Sequence, residues 1–173
     1  MGLADELLRE LQQEAAVTRR YLALVPFDRA DYKPHRNSET LGKLAIHVAE
    51  TIAWWKEVIQ NHDLDFKNFK HVQIHSTDKL LAYFDSLLLE AENILRETSD
   101  ADFEGMWSMR NGETIYFTLP KRQVVRTFCM NHLIHHRAQL GVYLRMIDIQ
   151  IPATYGPSAD DNDVLLIQPL SGD

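Results

Sequence analysis

Apolar residues recur along this chain at steps of three and four, the spacing that gathers side chains on one face of an α-helix. From about 3 to 25, Leu7, Leu8, Leu11, Ala15, Thr18, Leu22 and Val25 follow this rhythm, and Pro26 stops it by removing a backbone donor. The loop PFDRADYKPHRNSET ends on Ser38 and Thr40, whose hydroxyls can accept from the open N–H groups of a new helix. The spacing predicts that second helix over about 40–60, with the stripe Leu41, Leu44, Val48, Ile52, Trp55 and Ile59. Gly42 lowers its propensity and would admit a close contact. NHDLDFKNFKHVQIH breaks the period and reads as a connection. A third helix follows over about 76–98, with Ser76 or Thr77 as cap and Leu80, Leu81, Phe84, Leu87, Leu88, Ala91, Ile94 and Leu95 as its stripe.

The next stretch, SDADFEGMWSMRNGETIYFTLP, loses the helical period. Its Asn111-Gly112 turn dipeptide lies among Met, Trp, Ile, Tyr and Phe, a pattern that suits a short hairpin and equally an irregular loop. Pro120 suits the first turn of a fourth helix reaching about 149. Beyond it runs a tail rich in Pro, Gly and Asp with one apolar patch, Val164 to Ile167. There is no internal repeat. The expectation is one all-α domain over 1–173: a four-helix bundle with long irregular connections and a C-terminal tail.

Composition narrows the function classes. The 173 residues carry a formal charge of −7 and 45% hydrophobic content, enough for a real core. The acidic balance excludes a general nucleic-acid or anionic-membrane binder, which needs surplus Lys and Arg. One cysteine, Cys129, rules out an internal disulfide framework. No apolar run approaches the ~20 residues of a membrane span, and the first residues are acidic and amphipathic rather than leader-like. A cytoplasmic protein acting on a small molecule, with no nucleic-acid or membrane partner, is expected. The patch VLLIQP and the surface-capable Trp residues point further to a homodimer with the tail packed on the bundle.

The chemistry is concentrated in NHLIHHRAQL. On a wheel of about 100° per residue, Val125, Phe128, Cys129, His132, His136, Leu140, Tyr143 and Ile147 share one face, while His135 and Arg137 fall on its flanks, toward the bundle edge or solvent. His132 and His136, at i and i+4, can bring two imidazoles to one metal ion. The competing reading is a pair of core histidines satisfied by hydrogen bonds. His47, at the margin of the second helix's stripe, is the candidate third ligand, or a boundary histidine satisfied by water. Gln139, one turn after His136, could orient a ligand, or be solvated near a bundle end. Cys129 reads as a core residue and Glu50 turns outward on the wheel. Trp54, Trp55 and Trp107 line a pocket or fill the core.

Taken together, DYKPHRNSETLGKLAIHVAE, HLIHHRAQLGVYLRM and the closing IPATYGPSADD resemble the DinB/YfiT-like metal-binding bundle proteins over nearly the whole chain. The resemblance implies a four-helix bundle of other than simple up-and-down topology. It also implies a divalent metal, nickel or zinc, on three histidines that map onto His47, His132 and His136. Two features depart from the pattern: His135 crowds the motif and could compete with His136, and His71 and His75 repeat the i, i+4 spacing in a non-periodic segment. Three histidines without a charged ligand leave coordination positions open, as catalytic sites do, for ionising a low-molecular-weight thiol or activating water. An S-transferase or hydrolase is therefore implied, with the former favoured by relatives that use such thiols. The alternative is a non-enzymatic, stress-induced metal-binding dimer.

Overall fold

The structure is a computed structural model and describes residues 2–70 and 72–160. Helix α1 covers Leu3–Leu22 and runs into a turn before Pro26. The second helical segment is divided: α2 is Leu41–Glu50, a 3-10 turn takes Thr51–Ala53, and α3 is Trp54–Gln60. The hydroxyl of Thr40 caps α2 by accepting from the Lys43 N–H at 3.3 Å. All six stripe residues from Leu41 to Ile59 are buried. Gly42 meets a loop rather than a helix: its N–H donates to the Ala30 carbonyl, and a Cβ there would stand 2.9 Å from that of Ala30. Helix α4, Thr77–Glu97, starts at the Ser76 cap and packs along α1.

The all-α expectation is wrong. A three-stranded mixed sheet is present, in the order β1 (Asp63–Asp65), β2 (Met106–Asn111), β3 (Thr114–Pro120). β2 and β3 form the antiparallel hairpin that the Asn-Gly signal left open, with Gly112 at φ 59° in the turn. β1 pairs parallel to β2, and Arg110 bridges Asp63 and Asp65 across the pair. β1 lies in the segment read as a connection: three residues offer too few periods to register as a strand. The hairpin covers the end of the helices. Trp107 is fully enclosed and donates its indole N–H to the Glu57 carbonyl, filling a terminal acceptor of α3.

The last helical segment is not uniform either. α5 (Lys121–Val124) passes into a seven-residue π-helical turn, Val125–Asn131, and then into α6 (His132–Met146). Pro120 ends β3 and precedes α5. α6 stops in a turn where the Ile149 N–H reaches the Leu144 carbonyl at 3.0 Å, with Asp148 at φ 62°. Among the described residues, no helix is long and apolar enough to cross a membrane. The patch Val164–Ile167 lies outside the described residues, but the surface-capable tryptophans do not exist: Trp54, Trp55 and Trp107 are 7%, 0% and 1% exposed.

Candidate metal centre

The wheel over the last helix misplaces its inner face, and the π-helical turn explains why. Such a turn carries more residues than an α-turn, so positions on either side of it no longer share one 100° register. Past the turn the buried residues of α6 are Leu133, Arg137, Leu140, Gly141 and Leu144. His132 and His136 are therefore not at the middle of the stripe but half-buried on its flank, where α6 packs against α2. His47, in the last turn of α2, is half-buried opposite them.

The three rings form one cluster. Their centroids are 5.2 Å apart for His47 and His132, 4.6 Å for His47 and His136, and 4.4 Å for His132 and His136. One ring nitrogen from each lies within 4.8 Å of the others, so the group could hold a metal ion; among the described residues no cysteine or carboxylate joins it. The Nε2 atoms of His47 and His132 are 3.0 Å apart. Two nitrogens about 2.1 Å from a common ion stand about 3.0 to 3.4 Å apart at angles of about 90 to 110°, so this spacing fits shared ligation. The Gln139 side-chain oxygen accepts from Nδ1 of His136 at 2.6 Å, the tautomer this network assigns, and leaves the His136 Nε2 lone pair available.

Electrostatics act in the same direction. Burial, then the neighbouring His136, His47 and His135, push the His132 imidazole down to about 4. Burial also lowers His136, with the Gln139 bond opposing it and His135 adding to it. Both rings thus present lone pairs at neutral pH.

Aromatic packing holds the cluster. Phe117 of β3 stacks on Phe128 of the π-helical turn at 4.7 Å and 20°. Phe128 stacks on Trp54 at 6.1 Å, and Trp54 packs on His132 at 5.0 Å. The hairpin and the π-turn together therefore set the position of His132. A cleft of about 570 Å³ opens beside the histidines, lined by Ile46, His47, Trp54, Phe66, Val72 and His136, with Glu39, Lys43 and Gln73 completing its wall.

The other candidates separate from the centre. His135 is exposed, its ring 4.9 Å from that of His136, and it is not in the nitrogen cluster. His75 is exposed, and His71 lies outside the described residues. Cys129 is fully buried, and burial raises its thiol pKa, which keeps it protonated. Glu50 does not turn outward; it is 4% exposed and accepts from the N–H of Val72, a residue of the connection after α3 that lies against that face. Arg137 does not reach solvent. It is 2% exposed and donates to the Glu14 carboxylate at 2.6 Å, the Glu14 carbonyl, Thr18 and the Tyr155 hydroxyl. The signal for this pair was present: Glu14 stands between Leu11 and Thr18 on the buried face of α1, where a charge needs an opposite partner. Phe66 and Ile46 in the cleft carried no comparable signal.

The DinB family model matches residues 1–168. A DinB-like protein from Bacillus subtilis, known from a crystal structure, superposes with a TM-score of 0.68 at 18% identity, covering 86% of this chain and 97% of its own. That likeness establishes the fold. No curated protein matches the chain.

Proposed function

We propose, from the premise that this chain belongs to the DinB family, that it is a metal-dependent enzyme in which His47, His132 and His136 hold one divalent ion, nickel or zinc. The observation that carries the reading is the convergence of three ring nitrogens within 4.8 Å of one another at the wall of a cleft. Imidazole suits both metals, and a three-nitrogen set leaves positions for an exchangeable group. When bound, the ion supplies Lewis acidity that ionises a low-molecular-weight thiol or a water molecule. The chain's own residues do the rest. Gln139 fixes the His136 ring and its tautomer through Nδ1, while Trp54 and Phe128 hold His132 against rotation.

S-transfer from a thiol to an electrophile is the first reaction to test, and thiol-independent ester or amide hydrolysis the second. Metal analysis of the purified protein should return about one ion per chain, followed by both assays on the same sample. Metal-dependent turnover in either supports the enzyme reading. A loaded protein inert in both is instead a metal-binding protein. Residues 1–173 acting as one domain and assembling as a homodimer belong to the same proposal; a monomer by light scattering at micromolar concentration would remove the dimer.

A further inference from the structure

We infer that the cleft beside the histidines takes an uncharged substrate with a flat apolar body, its single polar group directed at the metal. This rests on the metal reading above and adds the chemical class of what binds there. Trp54 and Phe66 form an edge-to-face corner, with centroids 6.5 Å apart at 64°. Ile46 and Val72 extend the apolar surface, and His47 and His136 are the polar groups on the inner side. A cleft of about 570 Å³ lies in the range that takes a drug-sized molecule.

Charge selects against ions. The charged residues on its wall are Glu39 and Lys43, which pair with each other at 3.3 Å and are 64% and 71% exposed at the rim. An anionic group drawn into the cleft would meet a lysine already paired with its neighbour, and beyond it only the neutral donors of the Gln73 amide and the Trp54 indole, with no free cation among the described wall residues to balance its charge. A neutral ring instead gains area against Trp54 and Phe66 without losing hydration of a charge. The arrangement thus discriminates by body and charge, while the histidine end discriminates by the metal-binding group.

Three thiols sharing one metal-binding group separate these terms: phenylmethanethiol, 2-mercaptoethanol and the anionic 2-mercaptoethanesulfonate. On the cobalt-loaded protein the thiolate-to-metal absorption band reports each affinity. Phenylmethanethiol should bind about tenfold or more tighter than either of the others, as expected for burying one ring. Phe66→Ala should remove most of that advantage and leave 2-mercaptoethanol unchanged, whereas Lys43→Ala should alter neither by more than about twofold. A metal-free arm uses benzyl alcohol and saturation-transfer NMR, with contact expected in the wild type and lost in Phe66→Ala of native circular dichroism.

Equal affinity for the three thiols, or tighter sulfonate binding lost in Lys43→Ala, overturns the substrate class while the cobalt band itself upholds the metal. Absence of any thiol band, with benzyl alcohol still bound in a Phe66-dependent way, upholds the cleft while the thiol-activating metal reading fails. Benzyl alcohol contact that persists unchanged in Phe66→Ala also overturns the proposal.

Discussion

The two flanks of α6 both carry polar groups into the bundle, and they resolve the cost in opposite ways. On one side Arg137 is almost fully buried, and Glu14, Thr18 and Tyr155 meet its guanidinium with oxygens, while the Tyr155 hydroxyl donates in turn to Glu14. On the other side three imidazoles, all the same chemical type, turn nitrogens toward one another. Donor faces acceptor throughout the first cluster; in the second, nitrogens of one chemical type converge, with His47 and His132 at hydrogen-bond distance. A saturated buried polar group holds a fold together, whereas converging like groups also have the geometry to share an ion.

Breaking the saturated flank should have the largest effect. Glu14→Ala leaves Arg137 buried beside neutral groups and should cost about 3 to 5 kcal/mol of unfolding free energy. Replacing both partners with apolar residues, as in Glu14→Leu with Arg137→Met, should recover much of that loss, because no charge is then stranded. Denaturant titration of the three proteins decides it. A double variant as weak as Glu14→Ala would mean that the pair contributes more than charge balance.

The converging flank should respond in metal content instead. His132→Ala should weaken binding of nickel or zinc by more than about 100-fold, since a ligand contributes more than the 10 to 100-fold typical of its supporting partner. His135→Ala and His75→Ala, both exposed and outside the cluster, should leave it within about twofold. Chelator competition measures this, and unchanged affinity in His132→Ala would sink the assignment.

This contrast also shows what a sequence can carry. Helix stripes were legible because each buried residue recurs at fixed spacing, as Leu41 to Ile59 do across even a 3-10 interruption. His47 stands half-buried at the margin of its stripe, as its spacing suggested, whereas His132 and His136 were legible as a pair but not in position, because the π-helical turn before His132 shifts the register without any marker in the sequence. That shift exchanged the roles of neighbours, burying Arg137 and moving His136 to the flank. β1 was invisible for another reason: three residues pair only because Arg110 and the hairpin backbone meet them from far along the chain. Glu50 went astray likewise, covered by a segment distant enough that a single-helix wheel cannot include it.

The pH dependence sharpens the comparison from the histidine side. The His132 imidazole is lowered to about 4 by burial first and by its histidine neighbours second. In the metal-free protein the unfolded chain takes up that proton near its ordinary value of about 6.5, and the folded chain only near 4. Stability should therefore fall as pH drops through that window and level off for this group below it. The free-energy difference between wild type and His132→Ala, followed from pH 7 to about 4.5, isolates the contribution from carboxylates that titrate in both. The variant should gain relative to wild type as the pH falls. A difference flat with pH would show that His132 is not held neutral by the fold.

The smallest expected effect belongs to Gln139, whose oxygen accepts from Nδ1 of His136 at 2.6 Å. Partners of this kind hold a ligand ring and raise its basicity, so Gln139→Ala should weaken metal binding by about tenfold. General loosening of α6 could mimic that loss, so a second measurement is needed. Burial lowers the His136 pKa and the Gln139 bond partly offsets it. Losing the bond should therefore move the His136 titration of the metal-free protein further down, visible by NMR, while Gln139→Glu, a stronger acceptor, should move it up and restore affinity. Metal loss without these opposite shifts would make Gln139 a packing residue, and the Nδ1 contact would then have no bearing on the His136 lone pair.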